Sequence, residues 1–227
     1  MSNTLLDVQN LTMKFGGLVA IDDLTFSAKK DNITSIIGPN GAGKTTVFNC
    51  LTGFYKATAG SMYLNKDDNK MDLKKFSDFK VAQKAGVART FQNIRLFPQM
   101  SVLENMMVAQ HNKLMKASGF SILGLINSKS YLQQEKEAME ISKYWLDIIG
   151  LTNRADDNAG DLPYGDQRKL EIVRAMCIEP HLLCLDEPAA GLNAKESAEL
   201  NKLLKFIKND KKTGILLIEH DMSVVMG

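Results

Sequence analysis

An α/β protein with a mainly parallel core sheet is what this sequence predicts, on three observations. The apolar runs Ile33 to Ile37, Leu182 to Leu185 and Ile215 to Ile218 lack polar alternation, as do strands covered by helices on both faces. Each is followed by a polar turn and a helical pattern, the order expected of α/β organisation. A glycine-rich turn, Gly38-Pro39-Asn40-Gly41-Ala42-Gly43-Lys44-Thr45, sits between the first run and the helix-compatible stretch Thr45 to Leu51.

Around that core the pattern changes twice. The first 30 residues alternate (Leu6, Val8, Leu11; Ile21, Leu24, Phe26) and suit an N-terminal antiparallel β-portion, to which Met62 to Leu64 adds a further strand. Asn65 to Lys75 is a charged stretch and reads as a solvated surface loop. From Pro98 to Glu179 the chain is rich in Met, Lys, Glu and Ala and reads as a helical subdomain inserted into the core. Ser101 with Glu104 resembles a capping box, and Gln133 to Ile149 and Asp166 to Ile178 are further helical stretches. Lys116 to Ser130, with two glycines and four serines, reads as a loop or broken helix. The expected organisation is therefore residues 1–97 and 180–227 as the two parts of the core, with 98–179 as the insert.

Composition narrows the function. The 227 residues are 44% hydrophobic and 24% charged, and 28 basic against 26 acidic residues leave a net charge of +2. That is ordinary globular composition, and no basic excess points to nucleic acid. Cys50, Cys177 and Cys184 lack metal-ligand spacing and lie in apolar segments, so they read as small buried hydrophobes. The start of the chain lacks a signal-peptide pattern. No stretch approaches the ~20 apolar residues of a membrane span, so a membrane role is expected to come through a partner.

The turn at 38–45 fits the phosphate-loop pattern G-x-x-x-x-G-K-[ST]. Triphosphate oxygens need several backbone N–H groups converging on them, and glycines let the backbone approach without Cβ clashes. The helix that follows presents its positive end. Gly38, Asn40, Gly41, Ala42, Gly43, Lys44, Thr45 and Thr46 are the expected nucleotide-binding residues, with Lys44 on the β/γ oxygens and the Thr45 hydroxyl on Mg²⁺. Leu182 to Leu185 delivers Asp186 and Glu187 at a strand end, where α/β sheets bind ligands. Asp186 is expected in the Mg²⁺ shell and Glu187 as the base that orients the attacking water. His220 ends the third strand; it is either structural or a donor to the γ-phosphate.

These motifs in this order resemble the ATP-binding subunits of ABC transporters, over nearly the whole chain. The resemblance implies the ABC-type nucleotide-binding domain, ATP and Mg²⁺ as ligands, and ATP hydrolysis. It gives Gln92, in Arg89-Thr90-Phe91-Gln92, the role of sensing Mg²⁺ and the attacking water. It makes Phe15 the candidate aromatic on adenine, the alternative being that Phe15 is core. The family's signature Leu-Ser-Gly-Gly-Gln is replaced here by Leu162-Pro163-Tyr164-Gly165-Asp166: Leu162 and Gly165 match, and Pro163 lacks the usual hydroxyl. Gly165 remains the expected phosphate contact, made across a dimer. Ala190-Gly191-Leu192-Asn193 matches the segment linking the two sites of that dimer, and Asn193 with Glu196 also reads as a helix N-cap. Residues 89–97, the insert around 111–135, Leu-Pro-Tyr-Gly and Asp-Glu-Pro-Ala-Ala-Gly-Leu-Asn together look like the branched-chain amino acid importer ATPases of bacteria, which usually run on ~25 residues or more past the position of His220, about one more helix and strand pair.

That resemblance implies a second ATPase subunit, transmembrane permease subunits and, indirectly, a solute-binding protein as partners. It implies no nucleic acid, and a place on the cytoplasmic face of the inner membrane. Three other readings share the motifs. A lipopolysaccharide-export ATPase is disfavoured by the insert at 111–135. A soluble ABC protein acting on ribosomes or DNA is disfavoured by the single cassette and near-neutral charge. An ATP-binding regulator without turnover is disfavoured by Glu187 and His220.

Overall fold

The computed structural model describes residues 3–66, 69–77, 80–117 and 129–219. They divide into two compact units, one of Met1–Gln92 with Pro180–Gly227 and one of Asn93–Glu179.

Among the described residues the first unit holds two four-stranded sheets. In the antiparallel sheet β1 (Thr4–Phe15) lies between β2 (Leu18–Lys29) and β4 (Ala59–Lys66), with β5 (Asn69–Asp72) beyond β4. The alternating apolar residues of β1 turn one face inward, and Leu6, Val8 and Leu11 are fully buried. The bulges along β1 shift its register against β2, which lets the adjacent Leu5 and Leu6 both bury despite the two-residue period of a strand. The charged stretch after Asn65 is not a plain surface loop. Residues 69–72 pair back on β4, from Tyr63 opposite Asp72 to Lys66 opposite Asn69, and Leu73 in the short 3₁₀ turn that follows is 1% exposed.

The second sheet is wholly parallel, in the order β3-β8-β7-β6, from β3 (Ile33–Ile36), β6 (Val87–Arg89), β7 (Leu182–Asp186) and β8 (Gly214–Ile218). The central pair, β7 and β8, is buried at every residue. β3 is an edge strand, its residues only half-buried, and it stops at Ile36, leaving Ile37 exposed. Helix α1 (Lys44–Leu51) buries Val47, Phe48, Cys50 and Leu51 in a cluster that both sheets share. A Phe buried as fully as Phe48 contributes roughly 1.5–3 kcal/mol by leaving water.

The second unit carries the helices α2 (Val102–Ala109), α3 (His111–Ala117), α4 (Lys129–Ile148) and α5 (Tyr164–Met176); much of the 116–130 stretch falls outside the described residues. Ser101 and Glu104 form the expected capping box: the Ser101 Oγ accepts from the Glu104 N–H at 3.1 Å, and the Glu104 carboxylate accepts from the Ser101 N–H at 2.7 Å. α4 starts four residues before the expected Gln133 and α5 two before Asp166. Apolar periodicity marks a helix's buried face better than its ends, where polar residues continue the backbone bonding. In the first unit, Asn193 and Glu196 cap α6 (Ala194–Asp210) reciprocally.

All three cysteines are buried. Loss of hydration pushes the Cys50 thiol up to about 11 and the Cys184 thiol up to about 12, so almost no thiolate exists at neutral pH. Native protein treated with a thiol reagent at pH 7.5 is expected to leave Cys50 and Cys184 unlabelled, and protein in denaturant to label both fully. Rapid labelling of either in the native state contradicts this packing.

Candidate functional site

Parallel pairing puts every strand end of the second sheet on one edge. Ile36 pairs with Ile218, and Ile218 pairs with Asp186, so the residues that follow β3, β7 and β8 leave the sheet from one row. That edge is where open α/β sheets bind ligands.

After Ile36 the chain curls into α1. Gly41 and Gly43 both take the left-handed conformation at φ 81°, and Gly43 is the residue from which the helix starts. A Cβ on Gly43 would stand 2.2 Å from the carbonyl oxygen of Ala20 on β2, so only glycine fits. At Gly41 a Cβ meets nothing and only the φ argues for glycine. Lys44 is 7% exposed; its ammonium donates to the carbonyls of Gly38 at 2.7 Å and Pro39 at 2.8 Å, which fixes it inside the curl. Thr45 is exposed on the first turn of α1.

The loop opens on a cavity of about 590 Å³. Asn40, Gly41, Ala42, Gly43, Lys44, Thr45 and Thr46 form one wall, and Phe15, Leu18, Val19 and Ala20 of the β1–β2 hairpin another. Gln92 and Glu187 complete the lining. Gly38 does not line it and acts through its carbonyl. Phe15 is 41% exposed, packed edge-on against Tyr55 with ring centroids 5.1 Å apart. It is therefore not a core residue, and its ring is available at the cavity rim.

The acidic half lies at the end of β7. Asp186 is 2% exposed. Burial raises its carboxyl above the usual carboxylate range, while the bonded Arg89 guanidinium and the nearby Thr45 hydroxyl pull the other way. Glu187 follows at φ 47°, left-handed although not glycine. Its N–H donates to the Ile218 carbonyl at 2.9 Å, and its carboxylate accepts from Gln92 Nε2 at 2.9 Å. Gln92 and Glu187, 95 residues apart, are thus in contact.

Two predicted residues stand apart from this description. His220 lies outside the described residues. Gly165 belongs to the second unit, where it is buried in the first turn of α5 behind Pro163, which supplies no side-chain cap. Asp166, beside it, pairs with Lys169 at 3.0 Å and suits the positive end of a helix.

Sequence reasoning missed three polar residues here. Arg89 ends β6 and pairs with Asp186 at 3.0 Å, both side chains no more than 5% exposed. Asn49 on α1 accepts from the same guanidinium. Glu219, 4% exposed, accepts from the Ala189 N–H at 2.9 Å and anchors the turn after Glu187. The one available signal was a charged residue closing the apolar pair Val87-Ala88.

Fold and site together define a phosphate-loop ATPase. The profile of the family described as ABC transporter matches residues 21–190. The high-affinity branched-chain amino acid transport ATP-binding protein LivG of Escherichia coli K12 is 50% identical over 227 residues, spanning 100% of this chain and 86% of LivG. BraF of Pseudomonas aeruginosa, of the same description, is 46% identical over 226 residues, with 100% and 86% covered. A crystal structure of the ADP conformation of an ATP-binding cassette of an ABC transporter superposes with a TM-score of 0.81 at 30% identity, covering 99% of this chain and 84% of that one. The chain belongs to the ABC transporter family, as one of its ATP-binding subunits.

The two loop glycines separate experimentally. Gly43→Ala meets both the Ala20 carbonyl and an unfavourable φ, whereas Gly41→Ala meets only the φ, a cost of about 1–3 kcal/mol. Titration with a fluorescent ATP analogue is expected to show binding lost in Gly43→Ala and weakened about tenfold or more in Gly41→Ala. Equal affinities for the two variants count against the described curl.

Proposed function

We propose that this chain hydrolyses ATP to drive a branched-chain amino acid importer. The observation that carries the reading is the convergence of the phosphate loop, Asp186 and the Gln92–Glu187 pair on one sheet edge. The amino acid specificity rests on the two relatives, whose names carry that activity and whose length this chain nearly spans.

In this reading the loop amides from Asn40 to Thr46, with Gly38 holding Lys44 in place, bind the triphosphate. Lys44 turns from the loop carbonyls to the β/γ oxygens. Phe15 stacks on adenine at the rim. Thr45 and Asp186 would hold Mg²⁺, since one hydroxyl and one carboxylate are the oxygen donors that ion takes. It would supply positive charge against the phosphates there. Glu187 accepts a proton from the attacking water, and Gln92, on the same carboxylate, senses when that water and the metal are in place. His220 donates to the γ-phosphate.

A second ATPase subunit completes the site in this reading, its Gly165 amide and α5 N-terminus closing over the γ-phosphate. Closure and release then form a population shift driven by different affinities for ATP. Gln92 ends the first unit in sequence and Asn93 begins the second, so movement of Gln92 reaches the helical unit directly and, through it, the permease subunits. A solute-binding protein delivers the amino acid. No nucleic acid is involved, and the chain works at the cytoplasmic face of the inner membrane through its permease. Among the described residues no helix is long and apolar enough to cross a membrane.

Glu187→Gln is expected to keep ATP affinity and lower turnover by roughly 10²–10⁴; near-native hydrolysis removes Glu187 from the base role. Lys44→Ala is expected to abolish ATP binding, and unchanged affinity contradicts the cradle. Deleting the gene is expected to lower high-affinity uptake of labelled leucine, isoleucine and valine. Uptake equal to that of the parent strain refutes the proposed specificity.

A further inference from the structure

We infer that Arg89 is a positioning residue that aims the Asp186 carboxylate at its divalent cation. The inference rests on the ATPase reading above.

Arg89 sits at the end of β6, its side chain 5% exposed. One guanidinium nitrogen bonds Asp186 Oδ2 at 3.0 Å and another donates to the Asn49 side chain. The guanidinium also lies over the rings of Phe91, 4.9 Å from its centroid, and Phe48, 5.5 Å from its centroid. A single fork therefore ties together three pieces of the site: α1, which carries Lys44 and Thr45; the end of β7; and the segment that leads to Gln92. With Oδ2 held by Arg89, the Asp186 carboxylate is kept in one orientation.

Stability does not explain the arrangement. Taking both charges out of water costs what their attraction returns, and apolar side chains of the same volume pack as well. The Nε of Arg89 is also buried with no hydrogen-bond partner among the described residues, a further cost. What the fork supplies is direction: planar, always charged, with donors at fixed angles that an ammonium lacks. Groups that orient a metal-binding carboxylate from behind set its affinity for the ion.

The test compares Arg89→Lys and Arg89→Met with the native protein in binding a fluorescent ATP analogue, once with excess EDTA and once across a Mg²⁺ titration. Metal-free affinity is expected to stay within about twofold, while the Mg²⁺ needed for half-maximal tightening rises about 10–100-fold. Asn49→Ala, which leaves the Arg89–Asp186 pair intact and frees only one tether, is expected to raise it in the same direction by a smaller factor, and it decides the matter if both Arg89 variants fail to fold. Folded variants whose Mg²⁺ requirement matches the native one overturn the inference, as does an equal loss of affinity with and without metal, the mark of a merely structural role. A native protein that binds no nucleotide overturns the ATPase reading instead.

Discussion

Parallel pairing of β3, β8, β7 and β6 is the constraint from which the rest of this site follows. The order leaves β3 and β7 on either side of β8, so the phosphate loop and the acidic turn emerge one strand apart, about 10 Å across the sheet. Burial of all ten residues of β7 and β8 makes the order expensive to change, because a slip would expose a continuous apolar strip.

Local backbone chemistry was legible in the sequence. Gly43 announces a position no side chain can occupy, Ser101 and Asn193 announce helix starts through residues three places on, and the apolar runs at 182–185 and 215–218 announce buried strands. Each depends on a few consecutive residues. Contacts between segments far apart in the chain were not legible. Arg89 reaches Asp186 across 97 positions only because β6 and β7 are neighbours, and no local pattern encodes strand order. The strand at 69–72 was hidden for another reason: Asn69 and Lys70 are exposed, so a surface strand carries the composition of a loop.

The signature segment shows how little of a recognition element must be side chain. Pro163 and Tyr164 replace the hydroxyl and the small residue expected there, yet α5 still begins at that point. Proline suits the entrance of a helix because its missing N–H costs nothing there. What a phosphate meets at a helix start is chiefly the free backbone amides and the dipole, and these survive the substitutions. The segment thus keeps its helix start while giving up one neutral donor.

Glu187 offers a last consequence. Its main chain adopts a twist that side-chain-bearing residues rarely take, pinned through Ile218 on one side and, beyond Pro188, through Ala189 and Glu219 on the other. The place from which its carboxylate starts is therefore set by the scaffold beneath it. Such a position can exchange its head group without disturbing the machinery around it. Glutamine here would leave that backbone anchorage unchanged while removing the one negative charge the position presents to the cavity.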